Sequence, residues 1–420
     1  MTTTLKTIPK DWQKINLGVA CNFERGIEPG ADAYNSEGIG ERFLRVVDIT
    51  ESRNDPVYVD IRTTKKLKEN DIALTLDGTI GAVRTGLNGI YSTGVRKVSF
   101  KNGVTSSRLL YYILQSDTIQ RIIDVYASGS TIKHASSAIP HLFTVIPNLS
   151  GERDKIAEIL STIDDAIEKT DALIEKYKRM KTGMMQDLFR YGIDDKGKIR
   201  NEKTHKFKNS PLGKIPAEWD ADKVSNITEK ITKGESPNWQ GFDYQDDGVI
   251  FVTSENVRNG YIDLVLPKYI PEKFHSKLKR SKLKKGDILI NLVGASIARS
   301  ALFDEDMEAN INQAVSLIRF DDTVVPRFYL HYFQIPQNID RLLEEQVETA
   351  RANLSLTNIR NFLVIKPSET EQLHIVKVLS AIDSKINTEL ANQNKLSAIM
   401  QGCMEDLLTG AIRTNHLISK

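Results

Sequence analysis

Residues 160–193 read LSTIDDAIEKTDALIEKYKRMKTGMMQDLFRYGI, and residues 379–412 read LSAIDSKINTELANQNKLSAIMQGCMEDLLTGAI. The two stretches align without a gap over roughly 34 positions, of which about 12 are identical, beginning with Leu160 and Leu379. A repeat of this length, spaced by about half the chain, indicates an internal duplication.

Apolar side chains in both stretches recur at alternating steps of four and three residues, which predicts two long helices with coiled-coil stripes. We expect the stripes to pair antiparallel, because a duplicated unit usually closes with approximate twofold symmetry. In the alternative, each helix packs on its own globule. The helix-pair interface is predicted at Leu160, Ile163, Ile167, Ile174, Met184, Leu188, Leu379, Ile382, Ile386, Leu396, Met400 and Leu407.

The length of these helices has a consequence for spacing. A helix of roughly 38 residues spans ~57 Å, and one turn of DNA is ~34 Å, so the pair is long enough to hold two heads about one turn apart. Apolar positions off the main stripe suit a partner protein, or alternatively rest on a neighbouring globule. They are Ile159, Leu173, Met180, Met185, Val378, Leu390, Ile399 and Met404.

The same landmarks occur in the same order in both halves. Each half opens with Ile-Pro-x-x-Trp, ending at Trp12 and at Trp219. Strands are predicted at 43–49, 95–100 and 139–147 and at the end of 63–74, then at 250–257, 314–320 and 359–367 and at the end of 277–290. Helical segments are predicted at 108–126 and 326–348. The expected domains are 1–149, the helix 150–193, a linker 194–210, 211–368 and the helix 369–414, which is an α+β fold.

Composition describes an ordinary globular protein. Of the 420 residues, 40% are hydrophobic and 27% are charged, and the net charge of +2 is nearly balanced. Cys21 and Cys403 form neither a disulfide framework nor a zinc signature, as expected for a reducing compartment. Without a signal peptide or an apolar run of ~20 residues, we expect a cytoplasmic protein that does not enter a membrane.

No catalytic motif is complete. Gly81 and Gly86 have P-loop spacing, but Leu87 replaces the lysine, and Ala298 replaces the second glycine of a nucleophile elbow. No H-E-x-x-H, C-x-x-C or amino-methyltransferase tetrapeptide is present. His134 lies in a polar loop without a nearby Cys or carboxylate in sequence, which favours a surface or phosphate contact. We therefore expect a binding protein with no catalytic residues, no metal ligands and no cofactor.

Basic segments favour nucleic acid as the ligand. Residues 268–285 carry eight Lys or Arg against the single Glu272, and lysines at this density suit phosphate contacts. The alternative is a solvated loop that maintains solubility. Bases are read by side chains that offer paired hydrogen bonds. The candidate DNA contacts are Arg45, Lys65, Lys66, Arg84, Arg96, Lys97, Ser130, Thr131, Lys133, His134, Arg258, Asn259, Lys279, Arg280, Lys282, Asn291, Arg299, Gln313, Arg351 and Asn353.

The duplicated order of Ile-Pro-x-x-Trp, a Gly-Asp-Ile-Leu-like strand start, a Gly-x-Ser/Thr-Ile-like turn and a long helix resembles the specificity (S) subunit of type I restriction-modification enzymes. The resemblance covers nearly the whole chain. The loop 128–134, with its Gly, Ser, Lys and His, matches the family pattern, whereas Arg351, Ala352 and Asn353 stand at this place in the second half.

The resemblance implies two β-rich target recognition domains in pseudo-twofold arrangement, separated by an antiparallel coiled coil. Each domain would read one half of a bipartite, asymmetric site in double-stranded DNA. The helices would set the spacer and dock two modification subunits, which carry S-adenosylmethionine and methylate adenine. Restriction subunits would add the nuclease that needs ATP and magnesium.

Two other functions remain open at this point. The first is a coiled-coil scaffold whose globules bind protein or RNA. The second is a specificity subunit of a type IIB-like system that both cuts and methylates.

Overall fold

The computed structural model describes residues 8–51, 55–101, 106–344 and 353–418. The chain divides into two units: Met1–Leu173 with Glu389–Lys420 form unit 1, and Ile174–Thr388 forms unit 2. The divisions fall inside the two long helices, so each helix contributes one part to each unit. Among the described residues, none of the helices combines the length and the apolar character that a membrane span requires.

Regular structure alternates between short strands and short helices, apart from two long helices. The helices within the described ranges are α1 Leu17–Ala20, α2 Val46–Thr50, α3 Ser107–Gln115, α4 Asp117–Val125, α5 Ser150–Tyr191, α6 Glu272–Lys277, α7 Pro326–Phe333, α8 Pro336–Glu344, α9 Leu356–Asn361 and α10 Glu369–Thr409. Turns of 3₁₀ helix lie at Ala31–Ala33, Ser136–His141, Val224–Ile227, Asn238–Gln240, Lys279–Ser281 and Asn415–Leu417.

The strands are equally short. They are β1 Trp12–Asn16, β2 Cys21–Arg25, β3 Glu41–Leu44, β4 Val57–Val59, β5 Lys66–Leu67, β6 Ile72–Thr75, β7 Val83–Arg84, β8 Gly89–Tyr91, β9 Val95–Phe100, β10 Phe143–Pro147, β11 Phe207–Ser210, β12 Gly213–Pro216, β13 Asp220–Lys223, β14 Thr228–Lys233, β15 Val249–Val252, β16 Lys268–Ile270, β17 Ile288–Asn291, β18 Ser300–Leu302, β19 Ala309–Ile311, β20 Val315–Phe320 and β21 Leu363–Lys366.

The sheets of the two units share one topology, except that the third sheet of unit 1 has a fourth strand, β5. Unit 1 contains β1-β10, β2-β9-β6-β7 and β4-β3-β8-β5, and unit 2 contains β13-β21, β14-β20-β17-β18 and β16-β15-β19. In both, one pair is parallel, β3 with β8 and β15 with β19, among antiparallel neighbours. Unit 2 adds the hairpin β11-β12. The duplication seen in sequence is therefore a duplication of the whole α+β domain, and the predicted fold class is confirmed.

Each long helix packs into a β-rich core. In unit 1, Leu160 of α5 and Leu407 of α10 join a cluster with Trp12 and the inner faces of α3 and α4. In unit 2, Leu188 and Leu379 join a cluster with Trp219 and the aromatic residues of α7. Burial of these apolar stripes supplies most of the helices' stability, since isolated helices are marginal in water.

The two long helices run antiparallel where they meet. Within unit 2, Lys385 Nζ lies 5.7 Å from the ring centroid of Tyr177, and Lys181 Nζ lies 2.6 Å from Asp383 Oδ1. Partner numbers thus fall along α10 as they rise along α5. Within unit 1, Gln393 of α10 donates to Asp171 of α5. The helices therefore pair with each other as well as packing on the globules.

Both helices are longer than the repeated stretch, and both end at a glycine. Gly192 follows α5 with φ +67°, and Gly410 follows α10 with φ +75°, the left-handed conformation that often terminates helices. A Cβ at Gly192 would lie 2.4 Å from Trp219, and one at Gly410 would lie 2.8 Å from Pro9. The helix ends are thus packed against the Ile-Pro-x-x-Trp segment of each unit.

Several predicted strands and helices differ from the structure, and local capping accounts for most of the differences. The strand predicted at 43–49 ends at Leu44, because Arg45 N donates to the Asp48 carboxylate and starts α2. The strand predicted at 359–367 begins only at Leu363, since Ser355 caps α9. Residues 139–147 begin as a 3₁₀ turn that contains Pro140.

Further differences affect the predicted strand 250–257 and the two predicted helices. The strand ends at Val252, where Asn256 Oδ1 accepts from Thr253 N. The helix predicted at 108–126 divides at Ser116, the C-cap of α3 and N-cap of α4. The helix predicted at 326–348 divides before Pro336, and residues 345–348 lie outside the described residues.

The segment 194–210, predicted as a linker, is folded onto unit 2. Ile193 and Ile199 form an isolated bridge, and Arg200 is buried. Residues 207–210 form β11. Composition predicted a linker here because Asp, Lys, Asn and Gly dominate, and the buried ion pair of Arg200 with Glu371 holds the segment on unit 2.

Candidate nucleic-acid interface

The glycine turn and the polar loop of unit 1 lie next to each other. Gly78 N donates to Lys133 O over 2.8 Å, and Ser128 exchanges both backbone hydrogen bonds with His134. The closed loop requires glycine at position 129, because φ is +100° there and a Cβ would lie 2.1 Å from Ile132 O. Ser130, Thr131 and Lys133 are exposed on this closed loop. It presents donors without a partner among the described side chains, as a phosphate contact requires.

His134 is held in one orientation by an acidic residue of the glycine turn. Its Nδ1 lies 2.7 Å from Asp77 Oδ1. A carboxylate only accepts, so Nδ1 carries the hydrogen and Nε2 is left for an external partner. Nε2 accepts from a base amino group when the ring is neutral, and it donates to a phosphate when the ring is charged. The sequence placed no carboxylate near His134, because Asp77 lies far away along the chain.

Arg96 supports the same turn from beneath, so its assignment as a DNA contact is wrong. The residue is only 5% exposed. It donates to Ser136 Oγ over 2.7 Å and lies 3.4 Å from Asp77 Oδ2. Burial lowers the pKa of Arg96, and the charge of Asp77 opposes that shift. The side chain holds Asp77 in place for His134.

Unit 2 builds the same junction from different residues. Val293 and Asn353 form the bridge that Asp77 and His134 form in unit 1, and Leu354 N donates to Leu292 O over 2.8 Å. Val293 stands where unit 1 has Asp77, and a valine side chain cannot accept a hydrogen bond. The exposed amide of Asn353 is therefore not oriented by a carboxylate as His134 is. The two junctions are equivalent in topology and differ in chemistry.

Asn291 is also a structural residue, so its prediction as a DNA contact is wrong. It is fully buried, and its Nδ2 donates to Ser254 O over 3.0 Å and to Ser296 Oγ over 2.9 Å. Ala298 N donates to Asn291 O and has a left-handed φ of +61°. Gly81 has the equivalent conformation in unit 1, with φ +84°.

Arg45 and Arg84 both contact Asp48, the first through its buried carboxylate and the second through its backbone oxygen. Arg45 contacts Asp48 through Nε at 2.9 Å, and Arg84 donates to the Asp48 backbone oxygen over 3.1 Å. Burial alone would raise the pKa of Asp48, but the hydrogen bonds and charge of Arg45 outweigh it and lower the pKa. Both arginines are half-buried. Their hydrogen bonds explain their orientation, and a role in DNA contact stays a prediction.

Three of the four candidate lysines of unit 1 have acidic partners, and the fourth is Lys133 of the polar loop. Lys65 lies 2.7 Å from Glu24, Lys66 2.5 Å from Glu41 and Lys97 2.6 Å from Asp71. The pairs are partly exposed, and such pairs contribute little to stability. A phosphate can therefore replace the carboxylate at small cost.

The basic segment 268–285 contains both paired and unpaired cations. Lys268 lies 2.8 Å from Glu255, and Arg280 2.5 Å from Glu235. Lys279 is exposed, Lys282 is half-buried, and neither has an ion-pair partner within the described ranges. The segment comprises α6, the 3₁₀ turn Lys279–Ser281 and the approach to β17, so it is ordered structure rather than an open solubility loop.

The remaining candidates of unit 2 lie around the loop after β15 and near the strand ends. Arg258 lies 3.2 Å from Asp263, and Arg299 Nη1 donates to Val257 O over 3.5 Å. Asn259 and Gln313 are exposed. Arg351 lies outside the described residues.

Two buried carboxylates anchor the first turns of α5 and α10, and neither is among the site residues predicted from the sequence. Trp12 Nε1 donates to Glu152 in the first turn of α5, and Arg413, which follows α10, contacts Glu152 with Nε at 2.8 Å. Arg413 also contacts Asp11 and lowers the pKa of that carboxyl through its hydrogen bonds. Glu152 is 1% exposed.

In unit 2, Trp219 Nε1 donates to Glu371 in the first turn of α10, and Arg200, which follows α5, donates to both carboxylate oxygens. Ile193 N also donates to Glu371 over 2.8 Å. Extending the repeat upstream would have revealed the pair, because Glu152 and Glu371 occupy equivalent positions.

The predicted helix-pair positions form the least exposed face of α5 and α10. Those that are buried are Leu160, Ile174, Leu188, Leu379, Ile382 and Leu407, and those that are half-buried are Ile163, Ile167, Met184, Ile386, Leu396 and Met400. The apolar positions off the main stripe fall into two groups. Ile159, Met185, Val378 and Met404 pack against the cores, whereas Met180, Leu390 and Ile399 are exposed.

Comparison with known proteins identifies the class to which this architecture belongs. A family model described as the type I restriction modification DNA specificity domain matches residues 9–176 and again residues 216–398. The MjaVIII specificity subunit of Methanocaldococcus jannaschii is 26% identical over 98% of this chain and 95% of its own length. The EcoBI specificity subunit of Escherichia coli is 25% identical over 94% of this chain and 85% of its own.

Solved structures show the same fold. The S subunit of a type I restriction-modification system from M. genitalium aligns with a TM-score of 0.58, at 15% identity, over 96% of this chain and 97% of its own. A chain from a structure on complex assembly and conformational transition of the type I system aligns with a TM-score of 0.57, at 14% identity, over 97% and 100%. The chain belongs to the family of type I restriction-modification specificity subunits.

Proposed function

We propose that this chain is the DNA-binding specificity subunit of a type I complex, in which each unit reads one half of a bipartite, asymmetric site. The observation that carries the proposal is the double family match, one in each half of a chain whose units share a sheet topology. Two copies of one binding fold in a chain supply two recognition surfaces.

The asymmetry of the site follows from the equivalent junctions. Unit 1 offers an oriented imidazole, His134 on Asp77, where unit 2 offers the amide of Asn353 beside Val293. Side chains with different donor and acceptor patterns favour different bases. A duplicated fold with different side chains at the same place thus supports recognition of two unlike half-sites.

The helices α5 and α10 set the spacer and dock two modification subunits in this proposal. The exposed apolar positions Met180, Leu390 and Ile399 support docking, because they lie off the stripe that pairs the helices. The first turn of each long helix is held to its unit by a buried, fully hydrogen-bonded carboxylate, Glu152 in α5 and Glu371 in α10. This attachment supports a spacer of fixed length.

The chemistry belongs to partner subunits in this proposal. The modification subunits supply S-adenosylmethionine, and the restriction subunits supply ATP- and magnesium-dependent cleavage. This chain contributes recognition only, works on double-stranded DNA in the cytoplasm, and needs no membrane.

Selection from random duplexes tests the proposal. The chain is purified with its modification subunits, and the bound DNA is sequenced. The expected result is two different half-sites separated by a fixed gap. A continuous or palindromic site would contradict it, and equal affinity for every duplex would favour the scaffold alternative.

A further inference from the structure

His275, in the basic segment of unit 2, is buried with one ring nitrogen unsatisfied. The residue is 1% exposed, and its Nε2 has no hydrogen-bond partner among the described residues. Buried polar atoms are nearly always paired. A buried ring nitrogen without a partner, next to two carboxylates, therefore points to a missing ligand.

Asn310 fixes which ring nitrogen carries the hydrogen. Its Nδ2 donates to Leu278 O and to Ser281 Oγ, each over 3.1 Å, so its Oδ1 faces His275 Nδ1. An amide oxygen only accepts, and Nδ1 must therefore be the donor. The lone pair of the neutral ring is then on Nε2. Metal-binding histidines are oriented by this kind of second hydrogen bond.

Two carboxylates lie around that lone pair. Glu308 Oε1 lies 3.7 Å from His275 Nε2, and Glu272 also offers an oxygen, with all three ligand atoms within 4.8 Å of one another. A spacing of 3.7 Å is too long for a direct hydrogen bond. It is close to the ~3.4 Å expected between two ligands of a tetrahedral zinc ion bound at about 2.1 Å.

We propose that His275 Nε2, Glu272 and Glu308 bind a divalent transition-metal ion such as Zn²⁺. One imidazole with two carboxylates suits zinc better than magnesium or calcium, which prefer oxygen ligands alone. Glu272 and His275 are three residues apart on α6, so they share a face. The exposed carboxylates of Glu272 and Glu308 can rotate toward the ion, and water completes the coordination.

The ion would fasten α6 to the start of β19. Glu308 immediately precedes Ala309 of β19, and α6 leads directly into the turn Lys279–Ser281. The site thus orders the basic segment without taking part in chemistry. No metal-binding motif is visible in the sequence, because His275 and Glu308 meet only through the fold. The site does not rest on DNA recognition and is tested without DNA.

The test uses the tag-free full chain, stripped with EDTA and titrated with ZnCl₂ by calorimetry. The expected result is one Zn²⁺ per chain, with affinity lowered at least tenfold in Glu272→Gln and again in Glu308→Gln. Both positions are exposed, so the variants keep the fold. Glu305→Gln, an exposed carboxylate of the same loop, is the matched control and should bind zinc as the wild type does.

Two results would overturn the site. One is a wild-type chain that retains no zinc after gel filtration. The other is unchanged zinc affinity in both Glu272→Gln and Glu308→Gln, which would place the ion elsewhere.

Discussion

The indole Nε1 of Trp219 donates to Glu371 Oε2 over 2.9 Å, and both side chains are buried. The contact joins the tryptophan of the second Ile-Pro-x-x-Trp segment to the first turn of α10. Arg200 supplies the opposite charge, so the carboxylate is compensated without water. Unit 1 repeats the contact with Trp12 and Glu152.

Removing this charge should destabilise unit 2. Glu371→Gln leaves the buried guanidinium of Arg200 with only the exposed Glu218 carboxylate, 3.9 Å away, as a counter-charge. We expect a loss of about 3 kcal/mol in the free energy of unfolding. Urea unfolding of the full chain measures it. Glu369→Gln, exposed in the same turn, should cost less than about 0.5 kcal/mol. An equally small loss in Glu371→Gln would contradict the anchoring role.

Acid should destabilise unit 2 through His331. Burial, with the charge of Lys181 adding to it, lowers the pKa of His331 to about 4 from an ordinary value of 6.5. The unfolded chain therefore binds the proton first, and stability present above pH 6.5 is lost as the pH falls toward 4. Between pH 7.5 and 5.5 this group should remove about 1 kcal/mol of unfolding free energy.

The variant His331→Leu isolates that contribution. Its unfolding free energy, measured at both pH values, should change less than that of the wild type by about 1 kcal/mol. His374→Leu, an exposed histidine of α10, should leave the pH dependence unchanged. The same pH dependence in His331→Leu and the wild type would show that His331 does not titrate in this range.

Neutralising part of the basic segment should weaken binding to all sequences. With Lys279, Arg280 and Lys282 replaced by Gln, we expect the magnitude of the slope of log K against log salt to fall by up to about 2.7, because each of the three phosphate contacts contributes roughly 0.9. Filter binding across a salt series measures the slope. The control replaces Lys206, Lys208 and Lys214 of the hairpin region. An unchanged slope in the first variant would exclude phosphate contacts there.

His134 should affect one half-site only. His134→Ala removes the oriented imidazole, and loss of a base contact typically costs ~1–3 kcal/mol. Selection from random duplexes should show relaxed preference in the half-site of unit 1 and an unchanged second half. His141→Ala, also exposed in unit 1, is the control. Relaxation of both halves, or of neither, would mean that His134 does not read DNA.

Much of the fold could be predicted because its signals are repeated or long. The apolar stripes of α5 and α10 extend over about eleven turns, so their period was unambiguous. The Ile-Pro-x-x-Trp segments marked the domain starts because they occurred twice. Strand ends were less accurate, since a single cap at Arg45 or Ser355 decides them.

The site could be predicted less completely, because burial depends on distant partners. Arg96 and Asn291 have side chains that can read bases, but both are buried and donate hydrogen bonds within the protein, to Ser136 and Ser254 respectively. Arg200 lies in a segment with the composition of a linker, and only its contact with Glu371 makes it part of the interior. Long-range contacts of this kind leave no local pattern.

In the proposed function, α5 and α10 set the spacing between the half-sites while the two units read their sequences. One heptad is inserted into each helix, between Leu173 and Ile174 and between Thr388 and Glu389, where the units divide. Matched insertions preserve the stripe and the antiparallel pairing, whereas insertion into α5 alone, the control, should disturb both.

Selection and sequencing of the target bound by the doubly inserted chain, with its modification subunits, is the most direct measurement. Seven residues add ~10 Å of helix, about three base pairs, to the distance the helices span. We predict both half-sites unchanged and a spacer longer by about three base pairs. Altered half-sites with the original spacer would contradict the claim.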